Sequence, residues 1–281
     1  MTLAERFAQA RPRLLRLAYS ELGDLGEAED VVQEAWLRLE RVDTDAIENF
    51  DGWLTTVIAR LALDRLRSAR VRRETYVGPW LPEPIASDDP ADRVTIDESV
   101  SYALLTVLEQ LSPAERTAFV LHDVFDVPFG EVAEVVGRTP EAVRQLASRA
   151  RRHVERERPR FAASRDEHDR AVRAFAQAVA EGSLEGLVAV LDPEVVWTSD
   201  GGGRASAARK PLRGGARVAR AWAALSRRVV HEPIEIKLNG RLGLVLPSED
   251  GHRAALSFVV SDGRITRIDA VRNPEKLRRL G

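Results

Sequence analysis

The stretch FGEVAEVVGRTPEAVRQLASR, residues 129–149, decides how the centre of this chain folds. Gly137 separates two segments with helical patterning, and Thr139 followed by Pro140 is typical of an N-cap and the first position of a new helix. The apolar residues of the second segment recur at helical spacing and predict one buried stripe: Val143, Leu146, Ala147, Ala150 and Val154. The pattern predicts a helix-turn-helix.

The opposite face of the second helix is polar and basic. Its side chains suit base edges and phosphates: Glu141, Arg144, Gln145, Ser148, Arg149 and Arg152. A helix-turn-helix with a basic second helix is typical of proteins that read DNA. The alternative interpretation is a helical hairpin with a solvated, arginine-rich face.

Composition limits the class of protein. A chain of 281 residues, 44% of them hydrophobic, is long enough for two or three folded domains. No window has the apolar length of a membrane span, and the N-terminus lacks a signal-peptide pattern. The absence of cysteine excludes disulfides, thiolate metal sites and cysteine nucleophiles. We expect a cytoplasmic protein without a cofactor, a metal site or a membrane partner.

The net charge of -2 hides a strong segregation of charge along the chain. Residues 21–51 contain eleven acidic residues against two arginines, whereas residues 60–73 contain six arginines against one aspartate. Residues 138–160 contain eight arginines against three glutamates. Two separate basic patches in a nearly neutral chain indicate contact with a polyanion at two places. Solvated basic faces are the alternative.

Periodicity predicts a first helical unit over residues 1–75. Its most regular helix has the apolar stripe Ala28, Val31, Val32, Ala35, Trp36, Leu39 and Val42. A turn over 43–49 leads to a largely apolar helix over 52–73, which we expect at the centre of a helical bundle. Residues 76–98 are acidic and contain three closely spaced prolines, so they predict an extended linker. Trp80 and Leu81 indicate that this linker docks on a surface.

A second helical unit is predicted over residues 99–160 and contains the helix-turn-helix. Ser112-Pro113-Ala114-Glu115 within it is a capping-box start with proline at the first helical position. The character changes in residues 164–281, where two helices precede strand-like runs and one further helix lies at 216–229. The runs are 194–199, 233–238, 242–246, 254–260 and 265–271. This α+β pattern predicts a curved antiparallel sheet.

The two helical units resemble the bacterial sigma factors of the extracytoplasmic-function group. The matching motifs are AEDVVQEAWLR at 28–38, WL at 53–54 with LALDRLR at 61–67, and LSPAER at 111–116 followed by the helix-turn-helix. One departure is Arg60, where the wider group often has asparagine. The resemblance implies an all-α region 2 over the first unit and an all-α region 4 over the second.

The remaining chain is similar to one subfamily of that group, whose members carry a C-terminal SnoaL-like domain. Three motifs carry the similarity: WLPEP at 80–84, DGGGR at 200–204 and NPEKL at 273–277. Arg204 stands where lysine is usual, and Glu275 where aspartate is usual. The resemblance implies an α+β cone with a curved sheet.

The resemblance also implies roles for particular residues. The polymerase clamp would bind the polar face of the 28–38 helix: Asp30, Gln33, Glu34 and Arg38. The −10 element, including a flipped base, would bind the 43–50 loop and the basic end of the next helix: Asn49, Phe50, Arg65, Arg67 and Arg70. The −35 element would bind the second helix of the helix-turn-helix: Arg144, Gln145, Ser148, Arg149 and Arg152. Region 4 would also bind the polymerase flap.

For the C-terminal domain we expect regulation in cis rather than catalysis. We expect it to pack on the linker and the sigma units, which would replace a dedicated anti-sigma protein. The residues expected to act are Trp80, Leu81, Pro82, Asp200, Gly201, Gly202, Gly203, Arg204, Asn273, Pro274, Lys276 and Leu277. A ligand sensor or a small-molecule enzyme is the alternative, with Trp197, Asp200 and His231 lining a pocket. The three tyrosines precede residue 103, which leaves that domain without a tyrosine donor. A polymerase-independent repressor is a further alternative.

Overall fold

The structure is a computed structural model and describes residues 2–86, 101–157, 163–226, 232–247 and 251–280, with backbone alone at 45 and 70–74. The described chain forms two compact units. The first contains residues 2–74 and 104–157, and the second contains 75–86, 101–103 and the described residues from 163 onward. The described part of the predicted linker, 76–86, therefore belongs to the second unit.

The first unit begins with three helices, α1 (Leu3–Leu22), α2 (Leu25–Leu39) and α3 (Phe50–Glu74), with a short 3-10 turn at Thr44–Ala46. A capping box of Thr2 and Glu5 starts α1, and Asp24 caps α2. The stripe predicted for α2 is buried except at Trp36, which is half-buried, and Val42, which lies beyond the helix end and is exposed. As predicted, α3 is central and packs against both other helices.

The same unit continues with α4 (Tyr102–Leu108), α5 (Pro113–Phe119), a π-helical segment (Val120–Val124), α6 (Phe129–Val136) and α7 (Pro140–Glu157). The first two residues of α4, Tyr102 and Ala103, belong to the second unit. The capping box predicted at Ser112 and Glu115 is present, with Pro113 in the first turn of α5. The predicted stripe of α7 is buried in full. The helix-turn-helix prediction is confirmed.

Arg116 on α5 joins the two groups of helices within the first unit. Its side chain is 2% exposed and donates hydrogen bonds from Nε and Nη2 to the carbonyl oxygen of Ser20, at 3.2 and 3.0 Å. Its Nη1 forms an ion pair with Glu109. Because a buried guanidinium is costly unless it is paired and bonded, this contact specifies how α5 packs on the end of α1.

Glu21 lies beside this contact and is fully buried. Its Oε2 accepts a hydrogen bond from the Thr117 hydroxyl at 3.0 Å, and its Oε1 has no hydrogen-bond partner among the described residues. Burial raises the pKa of Glu21 to about 7, against the opposing effects of Arg116 and the Thr117 hydrogen bond. Since Glu109 directly neutralises Arg116, the neutral form suits Glu21 better than the charged one.

The second unit is α+β, as predicted. It contains the helices α8 (Arg165–Ala180), α9 (Leu184–Val190) and α10 (Gly215–Leu225). Its strands are β1 (Leu191–Asp200), β2 (Leu212–Arg213), β3 (Ile234–Leu238), β4 (Arg241–Pro247), β5 (Arg253–Ser261) and β6 (Arg264–Val271). The short strand β2 had no clear sequence signal, and residues 227–229 of the predicted helix lie outside the described residues.

The sheet has the strand order β2-β1-β6-β5-β4-β3. It is mixed rather than antiparallel throughout, because β1 and β6 pair in parallel. The expectation of a purely antiparallel sheet was therefore wrong at this pair. The physical reason is the long connection between the two strands, since parallel neighbours need a crossover and antiparallel neighbours only a turn.

The two faces of this sheet carry different apolar clusters. Phe175, Trp222 and Phe258 pack edge to face within the larger cluster, beneath the helices. Neighbouring strand residues point to opposite faces, so Ala255 and Val271 lie on the other side. There they form a smaller cluster with Leu81, Tyr102, Leu238, Leu277 and Leu280. This second cluster gathers three distant parts of the chain.

We expect Glu21→Gln to stabilise the first unit at pH 8 much more than at pH 5. The raised pKa means that the folded unit binds a proton that the unfolded chain releases above pH 4.5. The neutral Glu21 carboxyl makes its full contribution to the free energy of unfolding below pH 4.5. This contribution is lost as the pH rises through about 7. At about 1.4 kcal/mol per pKa unit, the gain from glutamine should be about 2–3 kcal/mol larger at pH 8 than at pH 5.

Urea unfolding of the full chain, followed by circular dichroism at both pH values, measures this difference. The exposed Glu48 provides the matched control, and Glu48→Gln should leave the pH dependence of unfolding unchanged. Equal stabilisation by Glu21→Gln at pH 5 and pH 8 would contradict a raised pKa.

Candidate functional site

The turn of the helix-turn-helix presents one face of α7 to solvent. Gly137 has φ +72°, and its N–H and that of Arg138 both donate to the carbonyl oxygen of Ala133, at 2.9 and 3.1 Å. Thr139 accepts a hydrogen bond from the N–H of Ala142 at 3.3 Å, which confirms it as the N-cap of α7. The five residues predicted to contact the −35 element are all exposed on this helix: Arg144, Gln145, Ser148, Arg149 and Arg152.

Several of these arginines are already held by neighbouring groups. Arg149 donates from Nε to Glu115 at 2.9 Å. Arg144 pairs with Glu141 at 3.3 Å, and its guanidinium lies 5.5 Å from the centre of the Phe129 ring. A groove of about 690 Å³ runs beside α7, and Arg149, Arg152 and other residues line it. The exposed face of α7 is therefore basic, and contacts with neighbouring side chains already orient some of its arginines.

The predicted polymerase-binding residues share the exposed side of α2. Asp30, Gln33 and Arg38 are exposed, and Glu34 is half-buried and accepts a hydrogen bond from Arg38 at 2.6 Å. Leu37 lies among them and is 46% exposed. A polar helix face with an exposed leucine at its centre suits contact with another protein better than with DNA.

The residues predicted to contact the −10 element do not form one exposed surface. Asn49 is exposed and accepts a hydrogen bond from the N–H of Gly52 at 3.0 Å, so it caps the start of α3. Phe50 is 8% exposed, and the guanidinium of Arg6 covers its ring at 4.0 Å. In this conformation the Phe50 ring is not available to a base.

The basic end of α3 is paired where its side chains are described. Arg65 lies 3.4 Å from Asp30, which connects the predicted DNA-binding and polymerase-binding surfaces. Arg67 lies 3.3 Å from Asp64, and both are exposed. The side chain of Arg70 lies outside the described part of the chain.

In the second unit, the three motifs of the resemblance meet at the buried carboxylate of Asp200. This side chain is fully buried and accepts a hydrogen bond from the Tyr76 hydroxyl at 2.6 Å and from the Leu81 N–H at 2.9 Å. The Gly202 N–H donates to it at 3.0 Å, and Lys276 Nζ at 2.7 Å. Each carboxylate oxygen therefore has two donors, which compensates for the loss of water.

Lys276 is the cation of this network and is 6% exposed. Besides Asp200, it donates to the carbonyl oxygen of Leu81, and its ammonium lies 3.8 Å from the centre of the Trp80 ring. Asn273 donates to the Tyr76 hydroxyl at 3.0 Å. Burial, followed by the bond to the Asp200 carboxylate, raises the pKa of Tyr76 above its usual value. The tyrosine therefore stays a neutral donor.

The glycines after Asp200 let the loop approach the C-terminal tail closely. Gly202 has φ +61°, and a Cβ at this position would overlap the Asn273 amide. Arg204 at the end of the motif is exposed and pairs with Glu275 at 2.8 Å. The other predicted residues adjoin the network: Pro82 accepts a hydrogen bond from Tyr102, Leu277 is buried, and Gly201, Gly203 and Pro274 complete the two loops.

The captured segment 75–86 also reaches the edge of the sheet. Ile85 donates from its N–H to the Asn239 side chain at 3.1 Å, and its carbonyl oxygen accepts from the Asn239 N–H at 2.8 Å. Ala86 forms a bridge with Leu238 at the end of β3. The segment is thus bound at two separate places within the second unit.

The described residues do not support the alternative of a pocket lined by Trp197 and Asp200. Trp197 packs with the helix-covered core, whereas Asp200 lies three residues further along the strand and faces the captured segment. His231 lies outside the described residues. Tyr76 and Tyr102 are part of this unit despite preceding it in sequence, so it does contain tyrosine hydroxyls.

Sequence reasoning missed the roles of Tyr76, Glu21 and Arg116. Tyr76 lies four residues before the WLPEP motif, and that spacing was its only signal. Arg116 directly follows the capping box of α5, and a charged residue at that position is normally expected to be exposed to solvent. A buried polar residue on an amphipathic helix has no signature without its partners.

Comparison with known proteins identifies the family. Residues 7–72 match the model of Sigma-70 region 2, and residues 101–154 match that of Sigma-70, region 4. The chain is 42% identical to the ECF RNA polymerase sigma factor SigJ of Mycobacterium tuberculosis, over 96% of this chain and 91% of that protein. The chain belongs to the ECF RNA polymerase sigma factors.

Two further similarities extend over nearly the whole sigma factor. It is 36% identical to the probable ECF RNA polymerase sigma factor SigI of M. tuberculosis, over 95% of this chain and 92% of that protein. The crystal structure of M. tuberculosis SigJ matches it with a TM-score of 0.81 and 38% identity, covering 99% of this chain and 98% of that one. The fold beyond the sigma regions is therefore shared too. Within the described residues of this sigma factor, no helix has the length and hydropathy to span a membrane.

We expect Lys276→Met to destabilise the second unit by about 3–5 kcal/mol, because it leaves the Asp200 carboxylate buried without its cation. Arg204→Met is the matched control, since it removes an exposed ion pair from the same loop region and should cost less than about 1 kcal/mol. Urea unfolding of the full chain measures both. A similar small cost for the two variants would show that the buried pair does not hold the network together.

Proposed function

We propose that this sigma factor directs core RNA polymerase to promoters through region 2 and region 4, and that its C-terminal unit regulates it in cis. Family membership supports the first part. The convergence of the WLPEP, DGGGR and NPEKL motifs on Asp200 supports the second, because the WLPEP motif lies between the two sigma regions in the chain.

In this proposal, the exposed face of α7 reads the −35 element and the exposed face of α2 binds the polymerase clamp. Arginine and glutamine side chains on α7 suit guanine and adenine edges in the major groove. Arg65, Arg67 and Arg70 contact phosphates near the −10 element, with Asn49 and Phe50 nearby. Because Arg6 covers Phe50, base capture there requires Phe50 to leave its packed position.

The contact between α1 and α5 belongs to a closed form that does not bind a complete promoter. By their positions, the −35 and −10 elements have centres about 25 base pairs apart, which is about 85 Å of B-DNA at about 3.4 Å per base pair. Region 2 and region 4 cannot bind both elements while Arg116 on α5 bonds to Ser20 on α1. Activation therefore includes loss of the Arg116 contact.

The C-terminal unit favours the closed form by holding part of the connection between the regions. Residues 75–101 form this connection, and an extended chain of that length reaches about 95 Å. Once residues 75–86 are bound to the second unit, the 14 residues of 87–100 can span at most about 50 Å. Release of the Asp200 network would restore the full reach.

Regulation is better supported than catalysis in the C-terminal unit, because its described buried acids and base are already bonded. Asp200 lies in the network, and Asp269 pairs with Arg267 at 2.8 Å. His168 donates to the Leu242 carbonyl oxygen at 2.9 Å, and burial lowers its pKa. Because regulation in cis by the C-terminal unit would replace a dedicated anti-sigma protein, we propose that none is needed.

Reconstitution with core polymerase on a library of genomic promoters tests the primary proposal. Transcription that depends on both core enzyme and this protein, at promoters sharing −35 and −10 motifs, is the expected result. Tight binding to duplex DNA without core enzyme, and no stimulated transcription, would instead support a polymerase-independent repressor.

We expect Lys276→Met to raise transcript yield at least threefold in the full chain, because loss of the network releases residues 75–86. Arg173→Met should leave the yield unchanged, since it removes an exposed ion pair with Glu235 that is not part of the Asp200 network. Run-off transcription with saturating core enzyme provides the measurement. Removal of all residues after 165 should change the yield as well, and equal output from the full and shortened chains would rule out regulation in cis.

A further inference from the structure

Glu115 occupies an unusual position between helix capping and the DNA-reading face. Its Oε2 accepts hydrogen bonds from the Ser112 hydroxyl at 2.6 Å and the Ser112 N–H at 3.2 Å, which completes the capping box of α5. Its Oε1 accepts from Nε of Arg149 on α7 at 2.9 Å. One carboxylate therefore connects the start of α5 to the exposed face of α7.

Arg149 uses only one edge of its guanidinium in this contact. Its side chain is 51% exposed, and neither Nη atom bonds to another described residue. The Glu115 carboxylate is only 21% exposed. Glu115 is therefore the anchored member of the ion pair, and the two Nη groups of Arg149 remain available to a ligand.

We propose that Glu115 is a positioning residue for promoter recognition, which holds Arg149 so that its two Nη groups face a single base of the −35 element. This inference rests on the proposed role of α7 in reading that element. An arginine that reads guanine uses a planar pair of N–H donors, so the orientation of the guanidinium plane matters. With Nε already bonded to Glu115, the two Nη atoms form the remaining donor pair.

Two physical effects favour this arrangement over a freely moving arginine. Ordering an arginine side chain costs conformational entropy, and the bond to Glu115 meets part of that cost before DNA binds. The carboxylate also offsets the charge of Arg149, which reduces its general attraction to phosphates and leaves geometry as its main contribution. Burial alone would raise the pKa of Glu115, but the bonds from Ser112 and Arg149 lower it overall, so the group stays charged.

The chain provides a closely matched control pair on the same helix. Arg151 donates from Nε to Asp123, so the chemistry is the same as in the Arg149–Glu115 pair. The Asp123 side chain is 20% exposed, close to the value for Glu115. Arg151 does not belong to the set of residues proposed to read DNA. Asp123→Ala therefore removes an equivalent ion pair without touching the proposed reading position.

The test measures base preference by transcription from promoters randomised in the −35 element, with full-length variants bound to core polymerase. Arg149→Ala should reduce the preference at one base pair by about 5- to 150-fold, the range of a bidentate pair. Glu115→Ala should reduce the preference at that same base pair at least threefold and leave the others unchanged. Glu115→Gln should do so too while keeping the α5 cap, since glutamine also suits that position. Asp123→Ala should leave the whole profile unchanged.

Three outcomes would overturn the inference. A normal profile for both Glu115 variants, with a changed profile for Arg149→Ala, would show that Arg149 reads DNA without this support. A uniform loss at every position would show that Glu115 acts only through the stability of region 4. A normal profile for Arg149→Ala would overturn the proposed reading role of Arg149 itself, and with it the inference.

Discussion

The second unit depends on the compensation of one buried charge. Asp200 is fully buried, and its carboxylate is bonded by Lys276, Tyr76, Leu81 and Gly202. A carboxylate without such partners would be too costly inside a protein. These partners come from residues 76–81, from the loop after β1 and from the C-terminal tail. The three segments must therefore assemble together around Asp200.

The first unit uses the same principle at Arg116. There a buried cation bonds to a backbone carbonyl at the end of α1 and to Glu109. Unlike apolar packing, a buried ion pair requires a specific geometry and is strongly destabilising when one partner is missing. Such a contact therefore suits a switch between two states, in which it is either fully formed or fully broken. Burial raises the pKa of the neighbouring Glu21, and Arg116, which already pairs with Glu109, only partly opposes that shift.

These two networks give the proposed regulation a physical form. One holds a segment that lies between the sigma regions in sequence, and the other holds region 2 against region 4. The proposed DNA-reading face follows a related rule, since Glu115 bonds an arginine that an isolated helix would leave mobile. In each case an acidic residue fixes the position of a lysine or arginine side chain.

The sequence by itself determined the local elements, because capping residues and apolar periodicity act over a few neighbouring positions. The turn at Gly137, the cap at Ser112, the stripe of α7 and the five longer strands were all predictable. Family motifs also identified Asp200, Lys276 and Leu81. Only the tertiary structure decided that β1 pairs in parallel with β6, that Tyr76 belongs to the C-terminal unit and that Phe50 is covered by Arg6. These features depend on contacts between residues far apart in the chain, and such contacts leave no periodic signal in a single sequence.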